Sequence, residues 1–308
     1  ITPWNFPVAI PSWKTLPALV AGNTVVIKPA SDTPLCALMF VEILNEAGLP
    51  PGVLNLVTGS GSKVGNALVE DSRVHAISLT GSCEVGKKVA GRCGELMKKI
   101  SCELGGKNAI CVMEDADIDL ALEGALWGAF GTAGQRCTAA SRVIVHKARY
   151  EEFCTKFKKA TEALKLGYGL DESVQVGPVV NQGQLDTVKM YVEIGKKEGK
   201  VEHGGNKHDT ADGGFYIEPT IFSGIDPMAR ISQEEIFGPV LAFIKANDFD
   251  HALEIANNTE FGLTGAVYSR NRQKLEKARR EFHCGNLYIN RKCTGALVGV
   301  HPFGGFNM

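Results

Sequence analysis

Three residues in this chain combine reactive side chains with a local setting suited to chemistry. Cys137 stands in Gly134-Gln135-Arg136-Cys137-Thr138, between the end of a helical pattern and the start of a strand pattern. A loop thiol beside an arginine and helix-end amides favours the thiolate, which is a nucleophile toward carbonyl carbon. The other cysteines fall within or beside apolar helix and strand patterns, where a thiol packs as a small hydrophobe. Glu103 ends a strand pattern and enters Leu104-Gly105-Gly106-Lys107. Open α/β sheets carry their chemistry at strand carboxyl ends, so a carboxylate there can act as a general base. Asn5, between Trp4 and Phe6, is an amide in an aromatic and proline-rich turn that can donate to an oxyanion. Each has a plainer reading as well: a packed thiol, a solvated turn carboxylate, an amide that caps its own turn. Residue by residue, both readings stay open.

Two glycine clusters could cradle phosphate on backbone amides. Gly59-x-Gly61-x-x-x-Gly65 follows a strand and can open a helix, although its spacing is not the dinucleotide fingerprint. Gly81-Ser82-Cys83-Glu84-Val85-Gly86-Lys87 nearly reads as a P-loop, but Lys88 stands where a magnesium-holding Ser or Thr is required, which excludes a nucleoside triphosphatase. Alone, either cluster is more often a tight turn than a ligand loop. The seven histidines show no paired-ligand spacing, so no metal site is expected, and no serine has a nucleophile elbow around it.

The elements that must position these residues alternate strand and helix. Between residues 23 and 109, strand patterns at Thr24–Ile27, Val53–Val57, His75–Leu79 and Ile100–Glu103 are separated by helical ones, the signature of βαβ units around a parallel sheet. The helix between the first two strands is expected to be capped by Ser31 or Asp32, to carry Pro34 early in its first turn, to present Leu35, Leu38, Val41 and Leu44 on one stripe, and to stop at Gly48. After Lys107 come strand patterns at Ala109–Val112, Ser141–His146, Ile217–Ile221, Val240–Lys245, Thr264–Ser269 and Asn286–Asn290. Helical patterns fall at residues 117–130, Tyr150–Leu166, Gln184–Glu198, Phe249–Asn257 and Arg272–Glu281. Gly204-Gly205 to Gly213-Gly214 is expected to be a polar surface loop. The expected organisation is a dinucleotide-type domain over residues 1–106 and a second α/β domain over 107–308.

Composition narrows the partners. At 44% hydrophobic and 22% charged, 308 residues can bury a substantial core. Thirty-three Lys and Arg against 34 Asp and Glu leave a charge of −1, no excess that would mark nucleic acid or anionic lipid as a partner. Charge interrupts the apolar runs well before the roughly 20 residues of a membrane span. Nine cysteines, an odd number without a disulfide framework, point to a reducing compartment such as the cytoplasm. The opening Pro3-Trp4-Asn5-Phe6-Pro7 reads as the interior of a longer protein rather than a leader, and we expect a fragment.

Read in chain order, these segments together resemble the aldehyde dehydrogenase superfamily. The matching pieces are Pro3-Trp4-Asn5-Phe6-Pro7, Lys28-Pro29-Ala30, Leu79-Thr80-Gly81-Ser82 with Gly86, Glu103-Leu104-Gly105-Gly106-Lys107, Gly134-Gln135-Arg136-Cys137, Glu235-Ile236-Phe237-Gly238-Pro239 and Pro302-Phe303-Gly304-Gly305. The resemblance implies an NAD(P)-dependent enzyme with a Rossmann-like cofactor domain and a catalytic domain. It implies Cys137 as nucleophile, Glu103 as general base and Asn5 as oxyanion donor. Trp4, Lys28, Ser31, Gly61, Gly65, Thr80, Gly81, Ser82, Glu235 and Phe237 become cofactor contacts. Aldehyde oxidation requires such parts: a thiolate to add, donors for the oxyanion, and a base to activate water against the thioester.

The segment from Asn290 to Gly305 is similar to the bacterial type of 1-pyrroline-5-carboxylate dehydrogenases, which oxidise L-glutamate γ-semialdehyde to L-glutamate in proline and arginine catabolism. That likeness implies that Thr138 and the amides of Gly295 and Ala296 hold the substrate carboxylate, with Phe6 and Phe303 flanking its aliphatic chain. Adjacent unhindered N–H groups form an anion nest, which suits the role. Ser31 departs from the Glu that many NAD-specific members carry there, so NADP stays open beside NAD. Members of the family also have an N-terminal extension and a C-terminal strand that pairs subunits; this chain lacks both, and a homo-oligomer is implied for the longer protein. The alternatives are another semialdehyde dehydrogenase, such as one for succinic semialdehyde, and a non-catalytic NAD-binding or structural member of the fold.

Overall fold

Backbone hydrogen bonding in the computed structural model, which describes residues 1–208, 213–301 and 303–307, gives an α/β architecture with mostly parallel strands. The chain divides into two compact units, Ile1–Leu104 and Gly105–Met308. Among the described residues no helix is long and apolar enough to cross a membrane.

In the first unit the elements run α1 (Ala9–Val20), β1 (Val25–Ile27), α2 (Pro34–Glu46), β2 (Leu54–Leu56), α3 (Asn66–Glu70), β3 (Ala76–Thr80), α4 (Cys83–Glu95) and β4 (Lys99–Glu103). β1 pairs in parallel with β2, and β3 with β4, each pair bridged by a crossover helix. α1 forms despite its prolines: Pro11 falls in the first turn, where a missing N–H costs nothing, and only Pro17 interrupts the ladder. Ile27, Val41 and Leu54 form one small core and Val69, Ile77, Leu79 and Cys93 another.

Two expectations for α2 are corrected. Its N-cap is Thr33, not Ser31 or Asp32, because Pro34 holds the first helical position and keeps the residue before it out of the helical region. Its buried stripe runs through Ala37 and Val41, with Leu35 69% and Leu38 39% exposed. The helix rests on Ile27 of β1 and Leu54 of β2 by the face that carries Val41 and Leu44, with Ala37 buried one turn before Val41, and Leu35 and Leu38 turn outward.

The second unit comprises β5 (Asn108–Val112), α5 (Ile118–Phe130), β6 (Ala140–His146), α6 (Tyr150–Glu162), α7 (Gln182–Glu198), β7 (Lys200–His203), β8 (Lys207–His208), β9 (Tyr216–Ile217), β10 (Thr220–Ser223), α8 (Arg230–Gln233), β11 (Val240–Ala246), α9 (Phe249–Asn257), β12 (Thr264–Tyr268), α10 (Arg272–Glu281) and β13 (Asn286–Ile289). Seven strands form one sheet in the order β13-β12-β5-β6-β11-β10-β7, parallel throughout except where β7 runs against β10. β5 and β12 are buried along their whole length, which is why they read as continuous apolar runs. Phe130, Phe153, Phe157 and Phe243 pack α5 and α6 onto β11, the last two rings edge to face at 5.1 Å. Each such buried ring contributes roughly 1.5–3 kcal/mol by burial alone.

Three further expectations change. The single strand Ile217–Ile221 is split into β9 and β10 at Glu218-Pro219, because proline brings no N–H to a ladder. The helix from Tyr150 ends at Glu162, and Leu166 pairs with Val176 in an isolated bridge instead. The glycine-rich stretch contains a short strand, β8, that pairs antiparallel with β9 just beyond it; its residues 209–212, like Pro302 of the expected C-terminal motif, lie outside the described residues.

Candidate active site

The predicted site residues divide between the units, and each half is built on strand ends and tight turns. In the first unit the carboxyl ends of β1, β3 and β4 carry Lys28, Thr80 and Glu103. Backbone bonds draw these ends together: the Thr2 N–H donates to the Lys28 carbonyl at 3.1 Å, the Thr80 N–H to the Ile1 carbonyl at 3.1 Å, and the Gly81 N–H to the Glu103 carbonyl at 3.2 Å. The bend that carries Trp4, Asn5 and Phe6 leaves this junction, and the Ile10 N–H returns to the Phe6 carbonyl at 3.1 Å as α1 begins. Burial pushes the Glu103 carboxyl above the usual carboxylate range, with the Lys14 ammonium of α1 pulling partly against it.

The expected cofactor residues of this unit form two groups. Lys28 is buried and its ammonium donates to the carbonyls of Pro29 at 2.7 Å and Gly59 at 3.1 Å, while the exposed Ser31 hydroxyl approaches the same Gly59 carbonyl at 3.5 Å. Gly61 and Gly65 lie in the helical turn that follows, which the Ser60 hydroxyl caps by accepting from the Lys63 N–H at 3.3 Å. Ser82 caps α4 by accepting from the Val85 N–H at 3.3 Å, so the first amides of a thirteen-residue helix open just past β3. A Cβ at Gly86 would come within 2.3 Å of Leu104, so glycine there lets α4 lie close to the chain that leaves β4. A cavity of about 550 Å³ between β1 and β3 is lined by Lys14, Val25, Ile27 and Ile77 but by none of the predicted cofactor contacts, and we assign it no role.

In the second unit the approach to Cys137 is conformationally unusual. Thr132 (φ 57°), Ala133 (φ 51°) and Gly134 (φ 69°) are successively left-handed, and such backbone persists at non-glycine positions only when the surroundings fix it. Here the Arg136 guanidinium donates to the Thr132 hydroxyl at 2.8 Å and stacks on Trp127 at 3.9 Å. Gln135 accepts from the Val180 N–H at 2.9 Å. A Cβ on Gly134 would lie 2.3 Å from the Gly238 carbonyl, so this turn packs directly on the loop that holds Glu235 and Phe237. Cys137 itself is half-buried in a β-turn closed by the Ala139 N–H donating to the Arg136 carbonyl at 3.0 Å. The Cys137 and Cys293 thiols lie within range of the Arg136 charge.

Glu235 and the Gly105-Gly106 turn meet at the same place. The Gly106 N–H donates to the Glu235 carboxylate at 3.0 Å, and a Cβ on Gly105 would fall 2.1 Å from that carboxylate. Burial raises the Glu235 pKa against the pull of Gly106 and Lys107. Phe237 is left-handed at φ 57°, held by the Gln184 amide on the carbonyls of Ile236 and Phe237 at 3.0 and 3.1 Å. Lys107 is buried with its ammonium on the Glu234 carbonyl at 2.6 Å; desolvation beside the Arg142 charge pulls its pKa down to about 7.

The structure also joins Thr138 to the predicted carboxylate turn. Thr138 and Thr294 are both buried and their hydroxyls lie 2.7 Å apart, which sets Gly295 and Ala296 next to the loop that carries Cys137. Gly295 is left-handed at φ 94°, a conformation natural to glycine. The Ala296 amide approaches the Tyr288 hydroxyl, which makes no hydrogen bond of proper geometry. Phe303 lies in the segment that returns across Gly285 and Gly262, where the Phe306 N–H donates to the Gly262 carbonyl at 2.9 Å. Two residues escape sequence reasoning: Thr294, and Asn108, whose amide donates to the Cys137 carbonyl at 2.7 Å. Asn108 stands two residues after the Gly105-Gly106 turn, and an amide at the head of an apolar strand pattern is its only signal in the sequence.

Comparison with known proteins identifies the family. The 1-pyrroline-5-carboxylate dehydrogenase of Anoxybacillus flavithermus is 53% identical over 100% of this chain, which covers 61% of that protein. The solved 1-pyrroline-5-carboxylate dehydrogenase from Thermus with bound NAD superposes with a TM-score of 0.96 at 49% identity, over 99% of this chain and 60% of that one. A betaine aldehyde dehydrogenase from Staphylococcus aureus in complex with NAD+ gives 0.96 at 35% identity, over 99% of this chain and 61% of that one. The chain thus spans about three fifths of the length of the relatives it matches. A family model of aldehyde dehydrogenases matches residues 1–308, so the Cys137 turn and the strand-end residues fall within one continuous match, and the chain belongs to the aldehyde dehydrogenase family.

Proposed function

We propose that the full-length protein oxidises L-glutamate γ-semialdehyde to L-glutamate with NAD, in proline and arginine catabolism, as a homo-oligomer of the cytoplasm. Residues 1–106 would serve as the cofactor domain and 107–308 as the catalytic domain. The observation that carries the choice of substrate is the 2.7 Å contact between the Thr138 and Thr294 hydroxyls, which sets a hydroxyl and the 295–296 amides beside the Cys137 turn. The residues fit a dinucleotide as well: Ser82 at the start of α4 and Lys28 at the end of β1 stand where open α/β sheets bind one, and Gly86 permits the close helix approach. Trp4, Thr80, Gly81, Gly61 and Gly65 would complete that site, with Glu235 and Phe237.

In this mechanism the Cys137 thiolate forms a bond to the aldehyde carbon, and the carbonyl electron pair moves onto oxygen. Asn5 and the Cys137 N–H meet that oxyanion. The bound nicotinamide supplies the hydride acceptor, so the substrate carbon leaves this stage as a thioester of Cys137. Glu103 then takes a proton from water as its oxygen attacks the thioester; the C–S bond breaks and Cys137 departs as thiolate. Thr138, Gly295 and Ala296 hold the α-carboxylate, and Phe6 and Phe303 flank the chain.

A panel of semialdehydes tests the reading. NADH formation by the full-length protein should be fastest, by kcat/KM, with glutamate γ-semialdehyde; a higher value with succinic semialdehyde would overturn the choice, and no NAD(P)-dependent oxidation of any aldehyde would overturn the enzyme.

Ala296→Pro removes one donor to the carboxylate. A charge-assisted hydrogen bond contributes roughly 1.5–3 kcal/mol, so kcat/KM on glutamate γ-semialdehyde should fall on the order of tenfold or more, while an uncharged aldehyde of similar length is oxidised much as before. Equal losses on both would remove the carboxylate role from this turn.

Ser31→Glu tests cofactor choice. With an exposed hydroxyl and no carboxylate at this position, NADP should be usable beside NAD. A carboxylate placed against the 2′-phosphate should cost of order one to several kcal/mol, sharply reducing NADP-dependent rates and sparing those with NAD. Absence of NADP activity in the parent would show that another residue sets the preference.

A further inference from the structure

We propose that Asn108 is the positioning residue of the nucleophile's turn: its side-chain amide locks the central peptide between Cys137 and Thr138, so that thiol and hydroxyl keep one fixed relation during addition to the aldehyde. The inference rests on the reading of Cys137 as nucleophile. Asn108 is 3% exposed at the start of β5. Its Nδ2 donates to the Cys137 carbonyl at 2.7 Å and to the Ala139 carbonyl at 2.8 Å, and its Oδ1 accepts from the Thr264 N–H at 3.0 Å. Two carbonyls can only accept and an N–H can only donate, so the amide is held in a single orientation. Asn108 therefore ties the turn to both β5 and β12.

The turn needs such a tie. In a β-turn the central peptide can flip between two orientations while the closing hydrogen bond survives, changing ψ of the second residue and φ of the third. Those residues here are Cys137 and Thr138, because the turn closes from the Ala139 N–H to the Arg136 carbonyl. A flip would carry the Cys137 carbonyl to the opposite face and re-aim both side chains. The bond from Asn108 opposes it, and the Cys293 thiol donating to the Thr138 carbonyl at 3.5 Å holds the next peptide. Gly106 makes room for the clamp: a Cβ there would lie 2.4 Å from the Cys137 carbonyl and 3.0 Å from the Asn108 amide.

Asn108→Asp in the full-length enzyme is the sharpest test. It keeps the acceptor for Thr264 but turns an oxygen toward two carbonyl oxygens. The readout is turnover per Cys137 thiol titrated with iodoacetamide, beside the Kd for NAD. A purely structural role lowers the number of titratable sites and leaves the turnover of each unchanged. We expect turnover per site to fall on the order of tenfold to hundredfold, as for other misplacements of about an ångström, with the Kd within about twofold. Asn108→Ser, smaller and still a donor to one carbonyl, guards against a folding failure and should give a smaller loss. Per-site turnover within about twofold of the parent in either variant would overturn the inference. A parent enzyme inactive on every aldehyde would instead overturn the underlying reading.

Discussion

Cys137→Ala in the full-length protein is expected to abolish both dehydrogenase turnover and any ester hydrolysis, a loss of at least roughly 10⁴-fold, while NAD still binds within about twofold of the parent affinity. On the proposed reading the thiol makes the covalent bond and has no part in holding the cofactor, so the two properties separate. The turn around it is secured by backbone and neighbouring side chains, through the Ala139 to Arg136 bond, the Asn108 amide and the Arg136 contact with Thr132. Alanine should therefore leave the loop in place. Turnover within tenfold of the parent, by NADH absorbance, would mean that Cys137 is not the nucleophile.

Glu103→Gln should stall the reaction after oxidation. Water needs a base to attack the thioester, but hydride departure does not, so the expected trace is one burst of NADH per site followed by turnover slowed by about 10²–10⁴. The pH dependence carries the same assignment. Burial raises the Glu103 pKa above the ordinary carboxylate range, with Lys14 as the opposing influence. A base works only when ionised, so deacylation should slow as pH falls through that raised value, and the Gln variant should lose this acid limb. A variant with no burst at all would show that Glu103 acts earlier, in making the thiolate.

The strand-helix alternation was legible because parallel strands covered on both faces must be apolar throughout, as β5 and β12 are. Cys137 stood out because glycines, an arginine and a polar turn surround it. What escaped depends on distance in sequence. Asn108 is 29 residues from Cys137 and 156 from Thr264, and Thr138 is 156 from Thr294, so no local pattern announces either cluster. The capping error at α2 was local: Ser31 and Asp32 are good caps by type, but Pro34 decides which residue stands at the boundary. The missed split at Glu218-Pro219 was again a proline effect on a ladder. The Arg136 guanidinium, adjacent to the thiol in sequence, lies within range of it and also braces a left-handed turn, a second role that no local pattern announces.

The most direct test of the account is to trap the covalent intermediate. The Glu103→Gln protein, mixed with NAD and glutamate γ-semialdehyde and quenched in acid, should carry a γ-glutamyl thioester detectable by mass spectrometry and mapping to the peptide that contains Cys137. An acyl group on a different cysteine, or NADH produced with no acylated protein, would contradict it.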